Sequence, residues 1–275
     1  GLCFLRKQRM YLGGIALTYA TLLRVFPGFV VAALVLKALA AMVRARRIFI
    51  SKAHAYFAAG CFTAFAVLLP AADWAMDGFD AWGQFAHNSE KHLATALTNN
   101  MGLKTVMGYD FKTRAAVMRN DKLEDPFKEW KDSKQYFYKK RAPFFYAVVL
   151  LFLFMLARAA EREEDWAAAC LGAGLIAIGP ELTCYYYGFL LPYWLLWSRR
   201  KLPGILAALL AAVTCLLYKL IGWNDDHFAA MSLATTIVVI AVTAHAAFGK
   251  RAGTEPTEPA PPAPAATTTP SAPTP

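Results

Sequence analysis

The residues with chemical potential in this chain are few, and they lie between long apolar stretches. Arg24 stands between two such blocks, just ahead of Pro27-Gly28. An ionisable group at membrane depth costs from about 2.5 kcal/mol upward and is a functional candidate by default. A guanidinium there either grips a lipid-linked phosphate through paired hydrogen bonds or extends along its own stem to the interface. His87, Glu90 and His92 follow within one segment. On a helix, positions 87 and 90 share a face and suit an acid/base or orienting pair; positions 87 and 92 do not, and the spacing is not that of a zinc helix. The alternative is a set of solvated interfacial side chains. Asp73, Asp77 and Asp80 leave an apolar block together, either as carboxylates for a cation or a general base, or as helix caps. Glu181, after Pro180 and before Tyr185-Tyr186-Tyr187, points inward to a tyrosine-lined cavity or belongs to an aromatic belt. Asn224-Asp225-Asp226-His227 reads as a turn.

Other chemistries lack their motifs. Gly13-Gly14 and Gly172-Ala173-Gly174 have no phosphate-loop context. Cys61, Cys170, Cys184 and Cys215 sit in apolar runs and Cys3 at the start, with no metal-ligand spacing. They read as small packing residues, and no cofactor or metal is expected from them.

The elements that must position these side chains are set by composition. Of 275 residues, 57% are hydrophobic and only 17% charged, whereas a soluble domain is about 45–50% apolar and about 25% charged. Mean hydropathy is +0.35, and the formal charge of +10 falls between apolar blocks rather than along one nucleic-acid-binding stripe. This is the pattern of an all-α, polytopic membrane bundle. A span takes roughly 20 apolar residues. Ala53–Ala72, Leu182–Trp197, Ile205–Ile221 and Met231–Phe248 qualify, with the shorter Pro143–Ala157 and Ala167–Gly179. Before these six, Tyr11–Leu23 and Phe29–Val43 form a short helical hairpin broken at Arg24–Gly28.

Lys and Arg crowd 1–9, 44–52, 199–201 and 250–251, while 179–181 and 222–229 have none. The positive-inside rule then places the basic ends in the cytoplasm of a cell (inner) membrane and the long loop 73–142 outside. That loop carries 12 basic and 10 acidic residues, and loops of such length escape the rule. The mixed turn 158–165 is neutral to the assignment, and Lys37 and Lys219 are expected to snorkel. In the loop, an amphipathic helix is expected over about 78–97 with an aromatic interfacial face, ended by Gly102. A second short helix follows Asp125-Pro126, and Lys139-Lys140-Arg141 meet anionic headgroups. The membrane region covers 1–251. Residues 252–275, with eight prolines, read as a disordered cytoplasmic tail. The start without Met or signal pattern reads as a piece of a longer protein.

Gly13-Gly14-Ile15-Ala16-Leu17, then Ala20-Thr21-Leu22-Leu23-Arg24-Val25-Phe26-Pro27, then a helix closing on Arg44-Ala45-Arg46-Arg47, resembles the polyprenyl-phosphate-dependent membrane glycosyltransferases of GT-C architecture, family 87, mannosyltransferase-like. Ala81–Phe85, His92 and Asn99–Leu103 resemble the loop that follows there, and Tyr185–Trp197 is loosely similar. Arg24 stands where lysine is more usual. The resemblance implies transfer of a sugar from a polyprenyl-phosphate donor to an acceptor on the outer side. Arg24 would contact the phosphate, with His87, His92 and Lys104 on the loop, and Glu181 joins them as a substrate-binding candidate. The family's main catalytic carboxylate belongs to an earlier loop, so no catalytic residue is assigned. The partners expected are membrane lipids and the lipid-linked sugar, not nucleic acid. A transporter and a membrane scaffold are the competing readings; no pair of matching halves supports the first, while the tail suits the second.

Overall fold

The computed structural model of the chain describes residues 1–76, 78 and 80–250, without the side chains of His92, Leu93 and Ala94. Asp77 and the expected tail 252–275 lie outside the described residues. The elements, in chain order, are α1 (Leu2–Arg6), α2 (Met10–Leu23), α3 (Pro27–Ala45), α4 (Lys52–Ala75), α5 (Asp80–Ala94), β1 (Asn100–Met101), α6 (Leu103–Gly108), α7 (Ala115–Met118), α8 (Lys128–Arg162), α9 (Asp165–Gly172), α10 (Leu175–Ile178), β2 (Leu182–Thr183), α11 (Leu191–Leu195), α12 (Lys201–Leu220) and α13 (Asp225–Phe248). Tight 3-10 turns cover 184–190 and 196–198. Five of the described helices, α3, α4, α8, α12 and α13, are long and apolar enough to cross a membrane, as an all-α membrane bundle requires.

Local signals start and stop these helices. Pro27 opens α3, where its missing N–H costs nothing. Ser51 Oγ caps α4 by accepting from the His54 N–H at 3.2 Å, and Asn224 Oδ1 caps α13 from the His227 N–H at 3.2 Å. Helices α2 and α4 meet backbone to backbone. A Cβ on Gly14 would lie 2.2 Å from the Phe57 carbonyl oxygen, and one on Gly60 would lie 2.1 Å from that of Tyr11. Close approach of this kind supplies packing where water exclusion supplies none. The core lies where α3, α8, α9 and α13 converge on Leu34, Phe152, Leu156, Leu171 and Val242.

The basic flanks 1–9, 44–52 and 199–201 gather at one end with Lys250. Lys37 Nζ meets Asp165 Oδ1 at 2.6 Å and donates to the Glu163 carbonyl at 2.7 Å; the lysine is paired inside the fold and does not snorkel. Arg44 pairs with Glu161. Arg200 donates to Glu163 Oε1 and to the Lys250 carbonyl, Arg199 pairs with Glu164 at 2.5 Å, and Arg162 reaches the Ala247 and Gly249 carbonyls. The mixed turn 158–165 is therefore the electrostatic hub of this end. Seen from the hub, the described chain passes back and forth to the opposite, loop end.

Two expected spans take another form. Ala167–Gly179 is split between α9 and α10 and is enclosed by the bundle, Ala167 to Leu171 having no exposure. Leu182–Trp197 is no regular α-helix: it runs from β2 through 3-10 turns and α11. It nevertheless joins Glu181 at the loop end to Arg199 at the hub, because a 3-10 turn rises about 2.0 Å per residue against about 1.5 Å for an α-helix. The expected separate helix after Asp125-Pro126 is instead the start of α8, whose 35 residues run through Pro143. At about 1.5 Å per residue this is roughly 50 Å, about 20 Å more than a hydrocarbon core, so its polar first turns rise clear of the apolar part. Gly102 does not end α5, which stops at Ala94; it has φ +120° and caps α6.

Candidate functional site

The site forms where α6, the foot of α8 and the segment after Pro180 meet. Asn100 and Met101 pair antiparallel with Thr183 and Leu182. Gly102 then turns the chain, its N–H donating to Ser232 Oγ at 3.1 Å. A Cβ there would approach the Pro180 carbonyl oxygen at 2.8 Å and the Tyr187 hydroxyl at 2.9 Å, and a positive φ is strained for any other residue. This turn delivers Lys104 and Thr105 to Glu181. On α8, Lys131, Lys134 and Tyr138 fall three and four residues apart on one face.

Glu181 is the centre. Its side chain is 7% exposed, its Oε1 accepts from Thr105 Oγ1 at 2.9 Å and pairs with Lys134, and Lys104 Nζ lies 3.8 Å from Oε2. Lys104 also sits over the Tyr138 ring at 5.1 Å and Lys134 over Trp130 at 5.1 Å, which suits desolvated cations. Lys104, Lys131, Gln135, Tyr138 and Glu181 line a small cavity of about 30 Å³. Of these, Lys131 also pairs with Asp125 at 2.8 Å. One carboxylate thus faces two close ammonium groups, and the partly exposed Lys104, the looser partner, is placed to receive a further anion.

A second polar knot lies beside it. Asp225 Oδ2 accepts from Trp130 Nε1 and from the Ala115 N–H, both at 2.8 Å. Tyr109 donates to Asp226 Oδ1 at 2.6 Å, and Arg114 Nε lies 3.9 Å from Asp226 Oδ2. Burial and the bonded Asp226 carboxylate push the Tyr109 phenol well above its ordinary range. The segment expected as a plain turn at 224–227 therefore ties α13 to α7, α8 and the 109–114 loop.

Of the residues singled out in the sequence, Lys104 and Glu181 come together. Arg24 does not join them: it is exposed in the gap between α2 and α3, and its charge acts on Tyr185 and Tyr186. The Phe26 and Tyr185 rings lie 4.4 and 4.3 Å from that of Tyr186. The next tyrosine, Tyr187, turns inward and feels the Glu181 charge. His87 and Glu90 are exposed on α5, and the His92 side chain lies outside the described residues. Asp73 lies in the last turn of α4 and Asp80 opens α5. Sequence reasoning missed Thr105 and Lys134 as partners of Glu181 and Tyr138 as the ring under Lys104; the 131/134/138 spacing was the available signal for the two on α8. No family model matches the chain, and neither a curated protein nor a solved structure matches it.

Proposed function

We propose that the chain acts on a polyprenyl-phosphate-linked sugar as a membrane glycosyltransferase of GT-C architecture, the phosphate being held at the loop end. The observation that carries this reading is the excess of positive charge around Glu181. Lys104 and Lys134 share one carboxylate, at the level where α8 leaves its apolar part. A phosphate brought there by a lipid anchor would take Lys104 as a direct partner, with Lys134 and Thr105 holding the frame. Arg24, on its aromatic shelf beside the same 180–187 segment, supplies a second cation for the departing lipid phosphate. The loop end then faces outside and the hub faces the cytoplasm.

The test uses the full chain in detergent micelles, with a polyprenyl phosphate and the matching uncharged polyprenol as probes. The expected result is preferential binding of the phosphate and a loss of about tenfold, or about 1.4 kcal/mol, in Lys104→Ala and in Arg24→Ala. Polyprenol binding should stay unchanged in both variants. Equal binding of the two probes would remove the phosphate reading. A transporter is the second reading, favoured by the interrupted, enclosed segment α9–α10; it would show uptake of a solute into vesicles without sugar transfer.

A further inference from the structure

Asp225 combines three properties that mark it out. It is 5% exposed, and its Oδ1 is buried with no hydrogen-bond partner. Its Oδ2 is held by two neutral donors, the Trp130 and Ala115 N–H groups. Hydrogen bonds to a carboxylate favour its charged form, yet a buried charge without a counter-charge is expensive. Asp225 lines a small cavity of about 10 Å³ together with Thr98, Thr105, Asp110, Thr113 and Lys134. That is the room of one water molecule, for which about 10–15 Å³ is needed.

The lining decides between occupants. Its charged groups are Asp110, Asp225 and Lys134; Lys134 is engaged by Glu181, and Asp110 has Arg141 at 4.0 Å. Asp225 is left with one uncompensated negative charge, which a single monovalent cation neutralises and a divalent one overshoots. The remaining donors are hydroxyls, hard oxygens of the kind that bind hard cations. Among the described residues no three His, Cys, Asp or Glu side chains group to hold a metal ion, so a softer transition metal lacks its ligand set. We propose that Asp225, with the hydroxyls of Thr98, Thr105 and Thr113, binds one sodium ion in this cavity. The ion would tie α13 to the loop that carries the Glu181 cluster, since Thr105 and Lys134 belong to both. It would stabilise the loop end whether or not the cluster binds a lipid phosphate.

The test is the thermal unfolding midpoint of the detergent-purified full chain in sodium, potassium or choline chloride at equal ionic strength. The expected result is a saturable rise with sodium only. The stabilisation reaches about 2.7 kcal/mol at a hundred times the dissociation constant. Asp225→Asn should abolish the rise, and Thr113→Val should raise the half-saturating sodium concentration several-fold. If Asp225→Asn fails to fold, Thr113→Val and Thr98→Val carry the test. Equal midpoints in sodium and choline would mean that the cavity holds a water, and equal stabilisation by potassium would mean that its size does not select. A sodium response unaltered in the threonine variants would place the ion elsewhere. Each of these three results overturns the proposal.

Discussion

Lys134 and Glu181, 47 positions apart in the chain, form an ion pair with side chains only 10% and 7% exposed. The pair joins the foot of α8 to the turn after Pro180, and Thr105 completes it from α6. Removing Glu181 leaves Lys134 charged and buried, which typically costs about 3–5 kcal/mol, whereas removing Lys134 leaves Glu181 with Lys104 at 3.8 Å. Glu181→Gln should therefore lower the unfolding midpoint more than Lys134→Met, and the double variant should cost less than the sum of the two. A double-mutant cycle on the purified chain reads this coupling directly; additive effects would show that the pair contributes nothing.

The contact of α2 with α4 has no room for a side chain at Gly14 or Gly60. Gly60→Leu should separate the helices and break the Tyr11 to Thr63 hydrogen bond of 3.0 Å. The thermal unfolding midpoint of the detergent-purified chain should fall strongly in Gly60→Leu. Gly83→Leu, on a surface with open space, serves as the neutral control.

At the hub, Arg199 beside Glu164, helped by the Trp166 N–H, holds that carboxyl below its usual range, against an opposing effect of burial. A carboxylate depressed in the folded state contributes stability above its unfolded pKa, about 4.3, and loses it as pH falls through the folded value. Stability should therefore fall on acidification below about pH 4.3, and Glu164→Gln should flatten part of that fall. The side chain is 44% exposed, so the effect is small and screened by salt. Denaturant midpoints of both proteins between mildly and strongly acidic pH at low ionic strength check the sign.

The two ends of the bundle should lie on opposite sides of the membrane. In a cysteine-free background, Lys122→Cys at the loop end should react with a membrane-impermeant maleimide on intact cells. Ser198→Cys at the hub should react only after permeabilisation. The reverse pattern would invert the proposed orientation without altering the fold.

The alternation of apolar blocks with Lys/Arg-rich flanks was enough, read along the chain, to mark α2 to α4, α12 and α13 and the break at Arg24 to Gly28, but not the early start of α8. The cause is local: a stretch of about 20 apolar residues must hydrogen-bond its own backbone in lipid, and charge at its ends marks the water. Tertiary structure alone decided which charges meet. Lys37 pairs with Asp165 across 128 positions, and Trp130 with Asp225 across 95; no periodicity reports a partner at such separations. The same holds for 165–198, whose composition reads as two ordinary spans. Enclosure by α3, α8 and α13 stabilises the short helices α9 and α10 there, which would not persist alone, while 184–198 keeps its 3-10 turns with Tyr185, Leu191 and Trp197 exposed. Glu181 shows both levels at once: its place beside Pro180 was visible in the residues, but its lysine and threonine partners are set by a turn at Gly102 that admits no side chain.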